Sequence, residues 1–296
     1  MRRFDNVYHF VFGLKPQTEP FHLAYYLCLA SCLQVNRPER IYFHYKHEPY
    51  GYWWDRIKPS LVLNQVDTGS FLEAYVYRDK AVAQYRYAHL SDIVRLEMLQ
   101  QHGGIYADID TLFVNPVPAS FFDEHCILGR ERVDTNTAAG AAAGGSLCNA
   151  WIAAEKGAEF IRLWLENMEA GFDGSWSAHS TFLPYTLSRN YPALLHVEPE
   201  HAFYKFDWTP EGIRNIFRRN RTADAADIYS IHLWSHLWWD RRRKDFTRFC
   251  NEDLTVNYLQ FSNATYASLA RRFLPGDLEF SKSGYRKERL KQYLRF

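Results

Sequence analysis

The stretch SDIVRLEMLQQHGGIYADIDTLFVNP, residues 91–116, contains the signals on which the predicted fold depends. Its first part is apolar on nearly every side of a helix, which predicts a buried helix over about residues 84–101. Gly103 and Gly104 follow as a helix C-cap. Residues 105–114 then have the pattern of a strand, which the Asn-Pro pair after them ends because proline cannot donate to a strand ladder.

The predicted strand carries two aspartates, Asp108 and Asp110, one residue apart. In an extended segment, residues i and i+2 point to the same face, with their Cα atoms about 7 Å apart. Two carboxylates this close repel each other unless a positive group lies between them. Mg²⁺ and Mn²⁺ prefer oxygen ligands, so the pair predicts a divalent cation site. The alternative is a solvated strand end that carries two aspartates by chance.

The predicted helix carries a second charged pair, Asp92 and Arg95, on one stripe with Ala88 and Leu99. Charged side chains on a helix that is apolar nearly all round need partners. The pair therefore forms either an internal salt bridge or a binding site for a polar ligand. Because the glycines turn the chain, we expect this helix and the aspartates to meet at one crevice of the sheet.

The rest of the chain alternates strands and helices, which predicts an α/β fold with a mostly parallel sheet flanked by helices. The predicted segments before residue 84 are a strand at 6–14, a helix at 20–35 and strands at 39–46 and 61–67. The predicted segments after residue 117 are a loop at 138–146, an amphipathic helix at 149–170, a strand running into a His- and aromatic-rich loop at 227–239, and a basic amphipathic tail at 281–296. No internal repeat or linker is evident, so a single domain is predicted over residues 1–296.

The charge balance, the cysteine count and the apolar segments of the chain exclude several classes of function. The 296 residues include 35 basic and 34 acidic side chains, for a net charge of +1, which argues against a general nucleic-acid binder. The five cysteines are odd in number and form no C-x-x-C, which disfavours a disulfide framework or a zinc ribbon. No signal peptide or membrane-spanning segment is evident. We therefore expect a cytoplasmic protein, soluble or peripheral at the inner face of the membrane.

The pattern S-D-x-x-R, then a helix, then G-G-x-Y-x-D-x-D in residues 91–110 resembles the DXD-type sugar-nucleotide glycosyltransferases of the family 32 type. These include initiating mannosyltransferases, α-1,4-galactosyltransferases and bacterial capsule enzymes. The resemblance implies a GT-A-like, Rossmann-like fold and transfer from a UDP- or GDP-sugar with retention of configuration. The implied acceptor is a glycan, a glycolipid or another hydroxyl, in the synthesis of surface polysaccharide or glycoconjugates.

The resemblance also implies roles for individual residues. Asp92 and Arg95 would hold the donor sugar and its phosphate side, together with Tyr106. Asp108 would contact the ribose or the water shell of the metal, and Asp110 would bind Mn²⁺ or Mg²⁺ directly. The cation would bridge the two phosphates and assist the departure of the nucleoside diphosphate. No residue is identified as a catalytic nucleophile.

The family adds a metal ligand from near the C-terminus. We expect this ligand to be His232, because it follows a strand, with His236 as the rival. The donor-nucleotide half is then expected over about residues 1–117. The acceptor half and the metal loop are expected over about residues 118–296.

Three questions stay open at this level. D-I-D-T-L, residues 108–112, also matches the start of haloacid-dehalogenase-type phosphatases, although no later acidic motif of the required kind follows. A relative that binds sugar without turning it over is a further alternative. The basic tail could contact an anionic membrane where a lipid-linked acceptor waits, or it could be an ordinary terminal helix.

Overall fold

The computed structural model describes residues 2–67, 69–77, 83, 86–242 and 248–295. The strands are β1 (Val7–Val11), β2 (Arg40–Tyr45), β3 (Val62–Gln65), β4 (Gly104–Ala107), β5 (Thr111–Phe113), β6 (Cys126–Arg130), β7 (Leu147–Ala154), β8 (His196–Glu198) and β9 (Ser230–His232). The α-helices are α1 (Leu23–Asn36), α2 (Tyr52–Ile57), α3 (Arg86–His102), α4 (Ala138–Ala143), α5 (Glu159–Met168), α6 (Leu183–Asn190), α7 (His201–Tyr204), α8 (Pro210–Phe217), α9 (Val256–Phe261), α10 (Thr265–Ala270) and α11 (Lys282–Leu294).

These elements form two compact units that interleave along the chain. The first unit comprises Met1–Pro20, Pro38–Ile109 and Val117–Glu200. The second comprises Phe21–Arg37, Asp110–Pro116 and His201–Phe296. The organisation as a single domain, with halves that meet near residue 117, stays a prediction. None of the helices described is both long enough and apolar enough to span a bilayer.

The first unit is built on a seven-stranded sheet in the order β3-β2-β1-β4-β7-β6-β8. The pairs β1–β2, β2–β3, β1–β4 and β6–β8 are parallel, and β7 is antiparallel to both of its neighbours. Helix α3 packs its apolar residues into the main core of this unit, where Leu96 and Leu99 are fully buried. The predicted class, α/β with a mostly parallel sheet, is confirmed.

Two glycines set the passage from α3 into β4. Gly103 has φ +68° and its N–H donates to Leu99 O at 2.8 Å, which closes the helix with a left-handed residue as predicted. Gly104 has φ +105°, and a Cβ there would lie 2.7 Å from Val7 O of the neighbouring strand. Only glycine fits this close approach, so β4 enters the sheet directly after the helix.

The predicted strand over residues 105–114 is wrong in its middle. The chain forms β4, then a turn through residues 108–110, then β5, and β5 belongs to a separate two-stranded sheet with β9. Asp108 and Asp110 therefore do not lie on one strand face. An apolar run that continues on both sides of the turn conceals it, because each flanking strand is buried on both faces.

Three further segments differ from the sequence-based prediction. Residues 149–154 belong to strand β7 rather than to a helix, because a short, mainly apolar run does not distinguish a buried strand from a buried helix. The chain turns at Gly157, with φ +73°, before α5 begins.

Residues 138–143 form the short helix α4 instead of a loop, capped by the Thr137 hydroxyl. Helix α1 begins after the capping residue His22, so the proline at position 20 lies outside it.

The second unit joins β5 to β9 in an antiparallel pair that aligns Thr111 with His232 and Phe113 with Ser230. Helix α1 lies against β5, where the Ser31 hydroxyl accepts from Phe113 N–H at 3.1 Å and donates to Cys28 O. Helix α11 occupies the predicted basic tail. This short sheet places His232 of the C-terminal region beside Thr111, the first residue of β5.

A buried chain of histidines crosses the parallel strands of the first unit. His9 Nε2 lies 2.9 Å from Gly103 O, and His9 Nδ1 lies 3.0 Å from His44 Nε2. Asn64 Nδ2 donates to His44 Nδ1 at 2.9 Å, which completes the chain with both rings neutral. Burial lowers the pKa of His9 to about 4, and burial with the nearby His9 lowers the pKa of His44 to about 3.

This chain predicts that acid destabilises the protein. Both pKa values lie below the ordinary 6.5, so the unfolded state binds more protons once the pH falls below about 6.5. The free energy of unfolding, measured by urea denaturation, is expected to fall by about 2 to 4 kcal/mol between about pH 7 and pH 5. His44→Gln should flatten this dependence, whereas the exposed control His201→Gln should not. Equal slopes in all three proteins would contradict the assignment.

Candidate functional site

Arg95, on α3, is a buried cation held by two carboxylates of the first unit. Its Nη2 lies 3.0 Å from Asp92 Oδ1, and its Nη1 lies 3.1 Å from Asp108 Oδ1. Nη1 also donates to Asn149 O of β7 at 2.7 Å, and the guanidinium lies 4.5 Å from the centre of the Tyr106 ring. The helix and the first aspartate of the D-x-D segment therefore meet, as predicted, with Arg95 as their common partner.

The charges of this cluster stabilise one another despite burial. Burial disfavours the Arg95 cation, but Asp108, Tyr106 and Asp92 together raise its pKa above the usual range. Burial likewise disfavours the Asp92 carboxylate, but Arg95 and His179 lower its pKa. The cluster is therefore ionised, and its charge is fixed by neighbours rather than by solvent.

Asp108 is the part of the cluster that reaches solvent, and the buried Tyr106 holds it in place. The Tyr106 hydroxyl donates to Asp108 Oδ1 at 2.6 Å, and Asp108 N–H donates to Ala150 O of β7 at 2.9 Å. Burial raises the pKa of Tyr106, so the hydroxyl stays a proton donor. The Asp108 side chain is 24% exposed, against 10% for Asp92, so Asp108 is the more accessible carboxylate of the two.

His179 is a residue of this cluster that the sequence did not reveal. It lies in a π-helical turn, Ala178–Phe182, and its Nε2 contacts Asp92 Oδ2 at 2.9 Å. Asn149 Nδ2 donates to Asp92 Oδ1 at 2.7 Å, so each oxygen of the carboxylate is held by a side chain distant in sequence. No local pattern in residues 177–181 ties this segment to Asp92.

The second unit holds a separate buried pair, Asp110 and His232. The register of β5 with β9 brings His232 Nε2 to 3.2 Å from Asp110 Oδ1. Ser235 N–H donates to Asp110 Oδ2 at 2.7 Å, and Leu233 N–H donates to Asp110 O at 2.9 Å. Trp234, with φ +55°, makes the left-handed turn between these donors, a conformation that costs a bulky residue about 1–2 kcal/mol. Such a conformation persists only where the surroundings enforce it.

Asp110 is an anion in this setting. Burial disfavours its charge, but His232 and the hydrogen bonds from His232 and Ser235 outweigh burial and lower its pKa. His236, the rival ligand, has an exposed side chain. Trp234 and Trp238 are buried and donate their ring N–H groups to Phe206 O and Leu233 O, so both are core residues that frame the pair.

The Arg95 cluster predicts a large stability effect for one substitution. Arg95→Met keeps the apolar stem but leaves Asp92 and Asp108 without their cation, which should cost about 3 to 5 kcal/mol in the free energy of unfolding. The matched control is Arg162→Met on α5, where the guanidinium is exposed and pairs with Glu159 and Glu166. Surface pairs contribute little, so the control should leave the urea midpoint nearly unchanged. Equal losses in the two variants would contradict this account.

Comparison with known proteins places this geometry in a family. Residues 32–132 match the family described as "Glycosyltransferase sugar-binding region containing DXD motif". Among curated proteins, the chain is similar to Glucan organizing enzyme 1 of the fungus Cryptococcus neoformans var. grubii, with 31% identity over 237 residues. That alignment covers 77% of this chain and 62% of the relative, so the chain spans about three fifths of the relative's length.

Solved structures give more distant likenesses. The galactosyltransferase LgtC, in complex with donor and acceptor sugar analogues, aligns with a TM-score of 0.45 and 14% identity over 95% of this chain and 99% of that chain. The PaToxG glycosyltransferase aligns with a TM-score of 0.42 and 19% identity over 64% of this chain and 70% of that chain.

The family match includes Asp92, Arg95, Tyr106, Asp108 and Asp110. Residues 32–132 of this chain therefore match a family described by a DXD motif, over a span that includes residues 91–110, as the resemblance of those residues predicts. The match favours the sugar-transferase interpretation of residues 108–110 over the phosphatase alternative.

Proposed function

We propose that the protein is a metal-dependent retaining glycosyltransferase that moves a sugar from a UDP- or GDP-sugar to a hydroxyl acceptor. The observation that carries this proposal is the ionised cluster of Asp92, Arg95 and Asp108, which is followed two residues later by Asp110. A buried cation with two separate carboxylates carries a large desolvation cost. Such a cluster suits a ligand that combines sugar hydroxyls with phosphate oxygens.

The residues near Asp110 fit a divalent cation. Asp110 is ionised and His232 contacts it, so we propose both as ligands of one metal ion, with Asp108 as a further ligand. Asp108 is joined to Asp110 through Ile109 alone, so the chain itself keeps the two carboxylates near each other. Carboxylate oxygens suit Mg²⁺ and Mn²⁺, and an imidazole nitrogen favours Mn²⁺ of the two. The contact with Asp110 supports His232 over the exposed His236 as the third ligand.

When bound, the cation would neutralise charge on the diphosphate of the leaving nucleotide. The protein's own groups do the rest. Arg95 fixes the carboxylates of Asp92 and Asp108 in place before the donor arrives, which lowers the cost of ordering them. The Asp92 carboxylate accepts from Asn149 at Oδ1 and contacts His179 at Oδ2, and it pairs with the Arg95 cation through Oδ1, which leaves acceptor capacity on Oδ2 for a sugar hydroxyl.

The acceptor and the place of the reaction are proposed from the fungal relative and from helix α11. The name of the fungal relative refers to glucan, which supports a polysaccharide or other glycan acceptor in surface polysaccharide or glycoconjugate synthesis. The proposed location is the cytoplasm, peripherally at the inner face of a membrane where a lipid-linked acceptor is available. The basic helix α11 supports that location.

The metal proposal predicts the behaviour of three variants. Asp110→Asn keeps the shape and an oxygen for Ser235 N–H but loses the charge, so Mn²⁺-dependent binding of the donor should weaken at least about a hundred-fold. His232→Gln should weaken it as well, whereas the matched control His236→Gln should not. Thermal shift against UDP- and GDP-sugars with Mn²⁺ measures binding, and release of UDP or GDP measures turnover.

Two outcomes would decide against parts of this proposal. Unchanged Mn²⁺-dependent donor binding in Asp110→Asn would remove Asp110 from the metal site. Donor binding without release of nucleotide in the presence of a range of glycan acceptors would favour a sugar-binding protein that does not turn the donor over.

We further propose that His179 positions Asp92 for the donor sugar. Its Nε2 holds Asp92 Oδ2, which is the oxygen with one acceptor position left, and the ring is only 1% exposed. Trp164 Nε1 donates to His179 O at 2.9 Å and fixes the π-helical turn. Removing His179 would leave Asp92 Oδ2 without this partner, while Oδ1 would keep its contacts with Arg95 and Asn149.

This role predicts a specific kinetic signature. His179→Leu should lower kcat/KM for the donor about ten- to hundred-fold, mainly through KM, with metal affinity unchanged. His179→Gln, which can restore a donor to Asp92, should recover part of the loss. The exposed His196→Leu is the matched control. A loss of stability with unaltered KM would show that His179 is only structural.

A further inference from the structure

The second unit contains a groove with a strongly positive lining, which we call the basic groove. It lies along α9 and α11 and encloses about 460 Å³. Its lining includes four cations, Arg271, Lys282, Arg286 and Arg289, and two aromatic rings, Phe261 and Tyr285. None of the described residues that line it is acidic. Since the whole chain has a net charge of only +1, this is a local concentration of charge.

The cations of the basic groove are not neutralised by the protein. Within residues 248–295, Lys282, Arg286 and Arg289 take part in none of the ion pairs that the structure shows. Arg271 donates only to backbone carbonyls, those of Ala267 and Ser262. Several cations held this close repel one another, so an anion with several oxygens would stabilise the groove.

Helix α11 is oriented by the only acidic residue it carries. Glu288 turns inward and accepts from the Thr255 hydroxyl at 2.7 Å and from Asn257 Nδ2 at 2.8 Å. One turn later, Gln292 is buried and accepts from Arg218 at 2.9 Å. These contacts fix one side of the helix against the unit, and the exposed side carries cations, large apolar residues and Ser283.

The outer side of α11 exposes three large apolar residues beside the groove. Leu290 is 58% exposed, Tyr293 80% and Leu294 74%, and their spacing places them on one face of the helix. Arg286 lies on the same face one turn before Leu290, so the apolar residues continue the wall of the groove. A free phosphate would satisfy the cations but not this apolar face, and the same holds for a nucleic-acid backbone.

We propose that the basic groove binds the phosphate group of an anionic phospholipid while Leu290, Tyr293 and Leu294 enter the edge of the bilayer. A helix with cations and apolar side chains together on its exposed face is the kind that lies in a membrane interface. The groove adds a defined position for one headgroup. The inference does not rest on the proposed transferase activity, because binding to lipid can be measured without donor or acceptor.

Co-sedimentation with vesicles tests the proposal. The full chain is expected to sediment with vesicles of equal parts phosphatidylcholine and phosphatidylglycerol, and not with phosphatidylcholine alone. The double variant Arg286→Gln with Arg289→Gln should weaken this binding about thirty-fold in total. Each charge removed near the membrane surface should contribute about tenfold or less to that loss. The matched control, Arg40→Gln with Arg189→Gln, removes the same charge from exposed sites of the first unit and should bind as the original protein does.

A second pair of variants separates a lipid from a soluble anion. Leu290→Ser with Leu294→Ser should weaken binding to vesicles while leaving protection by inorganic phosphate, measured as a thermal shift, unchanged. Equal losses in the groove variant and in its charge-matched control would overturn the proposal, because net charge alone would then explain binding. Loss of phosphate protection with undiminished vesicle binding in the groove variant would also overturn it, since the groove would then hold a free phosphate.

Discussion

The guanidinium of Arg95 is the group on which the arrangement of the first unit's polar cluster depends. It lies almost wholly out of solvent and contacts an aspartate of its own helix, the aspartate after β4 and a carbonyl of β7. A cation in such a place is stable only while all of these acceptors stay within hydrogen-bonding distance. One buried charge therefore constrains the relative positions of a helix and two strands. A donor sugar would meet carboxylates that are already ordered.

The sequence predicts those parts of this cluster that lie close together along the chain. Helix α3, the glycine stop and the burial of Asp92 and Arg95 follow from apolar pattern and turn chemistry. The turn between β4 and β5 does not, because both strands are apolar on each face and no glycine or proline interrupts residues 105–114. The contact of His179 with Asp92 joins residues 87 apart, and a single sequence carries no record of such a pairing.

The pair of Asp110 and His232 in the second unit also depends on a contact between residues that are distant in the sequence. His232 and His236 stand four residues apart with similar neighbours, and only the register of β5 with β9 distinguishes them. The position of His232 at the end of a strand favoured it, but the left-handed turn at Trp234 could not be foreseen, since bulky residues rarely adopt it. That turn brings the Ser235 N–H to the second oxygen of Asp110. The strained backbone of Trp234 therefore helps to fix the orientation of the Asp110 carboxylate.

The interleaving of the two units has a consequence for how the chain is made. Helix α1 is largely apolar and belongs to the unit whose main part begins at His201, yet it leaves the ribosome before nearly all of the first unit. At about 5–20 residues per second, roughly ten to thirty seconds pass between its synthesis and that of its later partners. Throughout that time its Leu and Cys side chains have no finished core to enter. The nascent chain thus exposes an apolar helix early in its synthesis, and holdase chaperones are the cellular factors suited to shield it.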